Sequence, residues 1–296
     1  MKRHGLRSLA AMATLVPTWV AVIVVYIGTM MWSVQISFTN SRMIPTDIFV
    51  GFEQYRKLFA TSRWITSIEN LVIFGVLFVG GSLVLGTLLA ISLDRKVRFE
   101  NTFRTLFLYP YAMSFIVTGL VWQWLMNPDL GIQLTAREWG WESFSFDWIV
   151  RPDLAIYAIV IAGLWQASGL VMVLMLAGLR AVDTELWHAA RVEGIPVWRT
   201  YASIVVPQLG PSLMTATILL AMGVVKTYDL VVALTNGGPG TSSEVPAKFI
   251  MDNLFGRQNL GLATAASTVM VVMMIAVLAP LAYAQRFRAN RLRRAA

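Results

Sequence analysis

The sequence predicts an all-α integral membrane protein with six transmembrane helices. Of its 296 residues, 57% are hydrophobic and only 14% are charged, whereas about 25% of the residues of a soluble domain are charged. Six segments without Asp, Glu, Lys or Arg are each long enough to cross a bilayer core of roughly 30 Å. The basic residues collect in alternate loops between these segments, as is typical of membrane proteins.

Each charge-free segment predicts one membrane span, because a charge at the bilayer centre costs about 2.5–3.5 kcal/mol. These segments are 8–41, 70–93, 105–128, 154–179, 200–225 and 258–285. The next longest, 230–243, is too short to span and is interrupted by Gly237-Gly238-Pro239-Gly240. We therefore predict one transmembrane domain over 1–296, with helices at approximately 10–37, 69–93, 104–126, 154–180, 207–233 and 260–284.

The first segment has an alternative interpretation as a cleaved signal peptide, because Lys2, Arg3 and Arg7 precede an apolar run. That run continues past Met31 and Trp32, which makes it longer than the apolar part of a signal peptide. No small-residue cleavage site closes it. We therefore favour a retained transmembrane helix.

The distribution of basic residues predicts the orientation in the membrane. One side holds the N-terminus, the loops 94–104 and 180–199 and the C-terminus, with 15 of the 24 basic but only 5 of the 16 acidic residues. The positive-inside rule then places both termini in the cytoplasm. The arginines of the tail, Arg286 to Arg294, are expected to face anionic lipid headgroups. We expect no nucleic-acid partner.

The composition excludes several kinds of site. The absence of cysteine excludes thiolate metal sites and cysteine nucleophiles, and His4 and His188 are too few for a histidine cluster. None of the five lysines follows a glycine, so the chain has no P-loop for ATP, and it has no His-Glu-x-x-His motif. We expect no catalytic residue, no metal and no cofactor in this chain.

The loop 180–208 is predicted to form a helix, a sharp break and a second helix. Asp183 is a favourable N-cap, and Glu185 in the first turn suits the helix dipole. Gly194 fits the position after the helix, where glycine adopts a positive φ without strain. Pro196 suits the first turn of a second short helix, and Pro207 is expected to open the fifth span. The simpler alternative is an amphipathic helix that rests on the membrane.

The spacing in this loop resembles the EAA loop of ABC-importer permeases, whose pattern is Glu-Ala-Ala, three residues, Gly, nine residues, Ile, one residue and Leu-Pro. The positions in register are Ala189, Ala190, Gly194, Ile204 and Pro207. The departures are His188 for the glutamate, Glu193 for the usual aspartate and Val206 for the leucine. In that family the segment is the coupling helix, which docks into a groove on the ATPase subunit.

The resemblance implies that the coupling loop, 183–207, contacts an ATPase. The implied residues are Glu185, His188, Ala189, Ala190, Arg191, Glu193, Gly194, Ile204 and Pro207. Because His188 replaces the glutamate of the motif, Glu185 or Glu193 is expected to supply the acidic contact.

Shorter motifs extend the resemblance to carbohydrate-uptake permeases of the maltose and glycerol-3-phosphate type. They are Asn70, Thr118–Trp124 with Gly131, Leu164-Trp165-Gln166, Leu176–Leu179, Tyr228-Asp229 and Thr235-Asn236-Gly237-Gly238-Pro239. The last turn favours the maltose-F-like half of the permease pair. The resemblance implies a type I ABC-importer permease (MetI-like) fold in a bacterial cytoplasmic (inner) membrane. It also implies a second permease subunit, a separate ABC ATPase dimer that binds ATP and Mg, and an extracytoplasmic binding protein that delivers a sugar.

Five residues are candidates for the sugar path, because sugar sites combine aromatic faces with polar groups in a largely apolar pocket. Trp165 and Gln166 are expected at mid-depth in the fourth span, and Lys226, Tyr228 and Asp229 near the outer end of the fifth. Two alternatives are open: a helix–helix hydrogen bond for Gln166, and a local ion pair between Lys226 and Asp229.

Tryptophans cluster around the outer end of the third span and in the loop after it: Trp122, Trp124, Trp139, Trp141 and Trp148. Interfacial anchoring is the simpler interpretation of such residues. The alternatives are stacking on a sugar ring and contact with the binding protein.

Two other function classes stay open at this point. An ion-coupled secondary transporter usually buries charged residues in the membrane, which all six spans lack, although backbone carbonyls also hold sodium in some transporters. An intramembrane protease or transferase needs a catalytic histidine or acid at depth, whereas His188 lies in a loop. Neither class predicts the 183–207 loop.

Overall fold

The computed structural model describes residues 14–94 and 98–295, of which 281, 282 and 284–295 are described by their backbone alone. Parts of the sequence predictions lie outside the described residues: the beginning of the first span at 10–13, and Lys2, Arg3, Arg7, Arg95 and Lys96. The side chains of the tail arginines lie outside them as well. Helices and their connections make up the described chain, apart from an isolated bridge between Thr39 and Phe49.

The helices are numbered in chain order. The first seven are α1 Thr14–Ile36, α2 Glu53–Ala60, α3 Ser62–Asp94, α4 Glu100–Ala112, α5 Phe115–Leu125, α6 Ile132–Glu138 and α7 Ala155–Arg180. The others are α8 Thr184–Val192, α9 Val197–Gln208, α10 Gly210–Val225, α11 Tyr228–Leu234, α12 Pro246–Met251 and α13 Leu260–Ala295. The π-helical turns are Ile23–Gly28 in α1, Tyr201–Val205 in α9 and Asp252–Gly256 after α12.

Four described helices are long and apolar enough to cross a membrane: α1, α3, α7 and the Leu260–Pro280 part of α13. Two more spans result if each of two bent pairs counts as one, namely α4 with α5 at 100° and α9 with α10 at 69°. The described residues thus supply four to six candidate spans, and the predicted all-α membrane fold is confirmed. Within the predicted spans 104–126 and 207–233 the chain is bent or broken.

The bend between α4 and α5 has a local cause. Pro110, in the last turn of α4, supplies no N–H to the helix ladder. Met113 and Ser114 then adopt extended ψ angles of 151° and 155°. The Ser114 hydroxyl accepts a hydrogen bond from the Val117 N–H at 3.3 Å and caps α5.

The predicted fifth span is divided at two places. Pro207 lies inside α9 instead of opening the long helix, because α9 continues to Gln208 before the chain turns. The next helix, α10, begins with Gly210-Pro211, where a proline in the first turn needs no hydrogen-bond donor. A second break at Lys226 and Thr227 separates α10 from α11.

The contacts divide the chain into two compact units. The smaller contains residues 14–62 and 250–272, and the larger contains 63–249 and 273–295. In the larger unit α7 is the central helix, since 61% of its most apolar stretch is buried, against 22% for that of α3. The single domain over 1–296 stays a prediction.

Close helix crossings build the larger unit. Phe74 and Phe78 of α3 stack with ring centroids 5.0 Å apart and belong to the same core as α7. Where α4 crosses α7, a Cβ on Gly169 would lie 1.9 Å from the carbonyl oxygen of Phe107. Glycine lets two helix backbones approach closely in a membrane, where packing drives helix association.

In the smaller unit, hydrogen bonds tie α13 to the loop that follows α1. The amide of Gln54 donates to the Thr39 carbonyl at 3.0 Å, and the Gly261 N–H donates to the Ser41 carbonyl at 2.8 Å. The apolar stretch of α1, in contrast, has none of its residues buried.

Candidate functional site

The 183–207 loop begins with the predicted helix cap. The Asp183 carboxylate accepts a hydrogen bond from the Glu185 N–H at 3.0 Å, at the first turn of α8. Pro196, with φ −64°, is the N-cap of the second helix, α9. The predicted capping by Asp183 is confirmed, and Pro196 lies one position before the first turn of α9.

The break between α8 and α9 is a left-handed glycine turn. Gly194 has φ +68°, a conformation that only glycine adopts without strain. Its N–H donates to the Arg191 carbonyl at 3.1 Å, and the Ile195 N–H donates to the Ala190 carbonyl at 3.0 Å. These two bonds satisfy carbonyls that a helix end leaves open, so the predicted glycine position is confirmed.

The loop presents large apolar side chains on its surface. Val192 is 88% exposed and Trp198 is 72% exposed. Among the predicted coupling residues, Ala190 is buried, Ile204 is half-buried, and Glu185, His188, Ala189, Arg191, Glu193, Gly194 and Pro207 are exposed. Exposed apolar side chains with a charged rim are typical of an interaction surface.

The loop is attached to the helices beside it by contacts that the sequence did not predict. The Tyr201 hydroxyl lies 2.6 Å from a carboxylate oxygen of Asp94, at the end of α3. Trp187 packs edge-on against the Tyr201 ring with centroids 5.0 Å apart. Arg180, the last residue of α7, lies 2.5 Å from the Glu100 carboxylate at the start of α4. The loop is therefore attached to α3 through Tyr201, and α7, the helix that leads into the loop, is attached to α4.

Gln166 makes the helix–helix hydrogen bond that the sequence left as an alternative. Its amide nitrogen donates to the Met113 carbonyl at 2.8 Å, at the break between α4 and α5. The bond satisfies a carbonyl that the helix break releases at membrane depth. The Gln166 side-chain oxygen is buried and has no hydrogen-bond partner among the described residues.

Trp165, next to Gln166, lies at the partly exposed surface of α7. Trp122 of α5 packs edge-on against it with ring centroids 6.0 Å apart. The buried Trp122 indole nitrogen and Thr118 hydroxyl have no hydrogen-bond partner in the described part of the chain. Trp122 and Thr118 thus join Trp165 and Gln166 as candidates for the sugar path. Their signal in the sequence is the presence of the polar residues Thr118 and Gln123 inside an apolar span.

Lys226, Tyr228 and Asp229 lie at the junction of α10 and α11, where Lys226 and Asp229 are exposed and Tyr228 is half-buried. Within residues 14–94 and 98–295, no ion pair joins Lys226 to Asp229. Nor does any described hydrogen bond or ring contact join these three residues to Trp165 or Gln166. That these five residues share one sugar path stays a prediction. In the same described ranges, no cluster of His, Asp and Glu could hold a metal ion.

The Thr-x-Gly-Gly-Pro turn is fixed by its own hydrogen bonds and by α3. The Thr235 and Ser243 hydroxyls lie 2.8 Å apart across the turn, and Ser243 donates to the Gly238 carbonyl at 2.7 Å. The Asn70 amide donates to the carbonyls of Ser242 and Glu244, both at 2.9 Å. Asn70, predicted as a family motif residue, thus holds the segment that follows the turn.

The loop between α5 and α7 carries exposed tryptophans. Trp124, Trp139 and Trp141 line a groove of about 630 Å³ together with Leu130 and Phe144. All three indoles are largely exposed. Trp148 does not line this groove, but its ring packs against Phe146 at a centroid distance of 5.7 Å, and Phe146 packs against Phe144 at 6.2 Å. Three of the five predicted tryptophans therefore share the groove, Trp148 is linked to it through two phenylalanines, and Trp122 packs against Trp165 instead.

Residues 82–294 match a family model described as the binding-protein-dependent transport system inner membrane component. A probable ABC transporter permease protein of Pyrococcus horikoshii is 36% identical over 271 residues, which cover 91% of this chain and 93% of the relative. A xylose/arabinose import permease protein of Haloferax volcanii is 32% identical over 267 residues, covering 89% of this chain and 83% of the relative.

A solved structure gives the same fold. A bacterial ABC transporter involved in the import of the acidic polysaccharide alginate has a chain that aligns with a TM-score of 0.83. The alignment covers 96% of this chain and 97% of that one at 17% identity, so it concerns the fold alone. The predicted importer-permease fold is confirmed. With the family model matched over 82–294, the chain belongs to the family of binding-protein-dependent transport system inner membrane components, the permeases of ABC importers.

Proposed function

We propose that this chain is the membrane-spanning permease subunit of an ABC importer for a sugar, which an extracytoplasmic binding protein delivers. The observation that carries the proposal is the 183–207 loop. A capped helix, a left-handed glycine and a second helix present exposed Val192 and Trp198 above a buried Ala190. Such a rigid apolar surface on a short connection suits docking to a partner subunit.

The energy for transport comes, in this proposal, from a separate ABC ATPase dimer that binds ATP and Mg. Both termini and the 183–207 loop lie in the cytoplasm, and a second permease completes the membrane part. Closure of the ATPase dimer moves the loop, and the loop tilts the helices to which it is attached. This tilting opens the sugar path toward the loaded binding protein. This chain supplies the sugar path and the loop that transmits the movement of the ATPase, and it carries out no catalytic step.

The sugar path is proposed to run past the broken third span. Trp165 and Trp122 offer aromatic faces, and the buried oxygen of Gln166 is an acceptor that a sugar hydroxyl satisfies once the path opens. Lys226, Tyr228 and Asp229 contribute polar groups at the α10–α11 junction. Relatives named for xylose/arabinose and trehalose/maltose transport support a small polyhydroxylated substrate.

The coupling role is tested by replacing Gly194 with proline in the affinity-tagged chain purified from native membranes. Proline fixes φ near −65°, which is incompatible with φ +68° at Gly194, and it removes the donor to Arg191. We expect wild-type chain to recover an ATPase, a second permease and ATP hydrolysis, with the ATPase lost in the variant. Stimulation of hydrolysis by xylose, arabinose, trehalose or maltose with the binding protein then assigns the sugar.

Gly140→Pro is the matched control. Gly140 also has a positive φ, +94°, with no atom within 4 Å of a built Cβ, and its N–H donates to the Arg137 carbonyl at 2.9 Å after α6. The two variants therefore impose the same local strain in different loops. Recovery of the ATPase with Gly194→Pro, or its equal loss with Gly140→Pro, would contradict the coupling role. A wild-type chain that purifies alone would favour a secondary transporter.

A further inference from the structure

We propose that α3 is a rigid rod that carries the movement of the 183–207 loop to the Gly-Gly-Pro turn, with Tyr201 as the positioning residue at its loop end. The inference rests on the proposed function, because it explains how movement of the docking loop reaches the other end of the permease. One end of α3 holds the loop, and the other end holds the segment 242–249.

At the loop end, the connection includes a partly buried polar contact. The Tyr201 hydroxyl lies 2.6 Å from the Asp94 carboxylate, and hydrogen bonds to a charged group are the strong ones. The Tyr201 ring is buried and is held edge-on by Trp187 of α8. A displacement of α8 is therefore expected to reach Asp94 through the packed rings of Trp187 and Tyr201.

At the other end, α3 makes several contacts with the segment 242–249, which follows the Gly-Gly-Pro turn. Asn70 donates to two of its carbonyls, both at 2.9 Å. Arg63 lies 2.5 Å from the Glu244 carboxylate, which is buried, and also lies 5.6 Å from the Phe249 ring centroid. Trp64 packs on the same ring at 5.2 Å. The segment therefore moves with α3.

Between these two ends, α3 is built to move as one body. Its 33 residues include no proline, and at ~1.5 Å per residue they extend about 50 Å. Gly81 and Gly86 bring its backbone against α7, where a built Cβ would lie 2.7 Å from Leu164 and 2.5 Å from Val171. Gly80-Gly81-Ser82 is a small-residue stretch of the kind at which helices kink, and here the contact between Gly81 and Leu164 supports it. We therefore expect α3 to transmit a displacement instead of absorbing it.

The absence of cysteine from the sequence provides a direct readout. Thr241, exposed beside the turn, is replaced with cysteine, and its rate of maleimide labelling is measured in the purified complex with and without Mg-ATP. We expect the nucleotide to change the labelling rate on the order of fivefold. Tyr201→Phe, which removes the hydroxyl alone, is expected to abolish that change while the ATPase still co-purifies.

Four further variants separate a positioning role of Tyr201 from a general structural role. Ser203→Ala removes a hydroxyl from the same π-helical turn, where the Ser203 hydroxyl donates to the Arg199 carbonyl at 2.6 Å, and it should respond like the Thr241→Cys parent. Asp94→Asn keeps a hydrogen-bond acceptor for Tyr201 and should retain the response, whereas Asp94→Leu should lose it. Adding Tyr201→Phe to Asp94→Leu should not reduce the labelling response further, because each substitution removes the same contact.

The outcomes distinguish this inference from the function on which it rests. A Thr241→Cys chain that recovers the ATPase but labels at the same rate with and without Mg-ATP would overturn the rod and leave the coupling role intact. A normal response in Tyr201→Phe would overturn the role of Tyr201. A chain that recovers no ATPase would overturn both.

Discussion

Replacing Gly169 with leucine is expected to prevent the larger unit from folding. A Cβ at this position would lie 1.9 Å from the Phe107 carbonyl oxygen and 3.0 Å from the Leu108 Cα. These are backbone atoms, which cannot rotate away as a side chain can, so α4 and α7 would have to separate. Overpacking a core costs about 1–3 kcal/mol and occasionally more. We expect no monodisperse peak for the variant in size-exclusion chromatography of detergent-solubilised protein.

Gly80→Leu is the control for this prediction. Gly80 lies on α3, and no atom lies within 4 Å of a Cβ built there. Leucine has a higher helix propensity than glycine, and the difference is somewhat less than the ~1 kcal/mol between alanine and glycine. The control should elute and melt like the wild-type chain. Elution and melting of Gly169→Leu like those of Gly80→Leu would show that the two helices do not cross at Gly169.

Replacing Arg63 with methionine is expected to produce the second large effect. The Glu244 side chain is only 1% exposed and lies 2.5 Å from Arg63, which is 16% exposed. Removing one partner of a buried ion pair costs about 3–5 kcal/mol, because the other charge stays buried without it. We expect the melting temperature of the purified chain in detergent to fall on the order of 10 °C.

Arg151→Met supplies the comparison, because Arg151 and Asp153 form an ion pair at 3.2 Å with side chains 47% and 62% exposed. An exposed pair is worth about 0–1 kcal/mol, so its melting temperature should hardly change. Equal melting temperatures for Arg63→Met and Arg151→Met would contradict the burial of the Arg63–Glu244 pair.

The elements that were predictable are those with a local signal. Charge-free stretches located the helices, and the positions of Asp183 and Gly194 located the ends of α8, because caps and positive-φ glycines act within one turn. The break at Pro110 also had a local signal, although the apolar character of 105–128 favoured one continuous span. Apolar character indicates that a segment lies in an apolar environment, but it does not indicate whether the helix axis changes direction within that segment.

The unpredicted elements depend on contacts between distant residues. Tyr201 meets Asp94 across 107 positions of sequence, and Gln166 meets Met113 across 53. No periodicity or spacing encodes such pairs, since they arise only when helices pack. Sequence reasoning estimates the depth of a residue along its helix, whereas packing decides which residues of different helices meet.

The central claim, that the 183–207 loop contacts an ATPase, is tested most directly by site-specific photo-crosslinking in native membranes. Benzoylphenylalanine is placed at Val192, the last residue of α8, which is 88% exposed, and in a second strain at Trp139, which follows α6 and is 82% exposed. We expect the position at 192 to yield an adduct with an ATP-binding protein and the position at 139 to yield none with it. An absence of that adduct at 192, or its equal formation at 139, would contradict the coupling role of the loop.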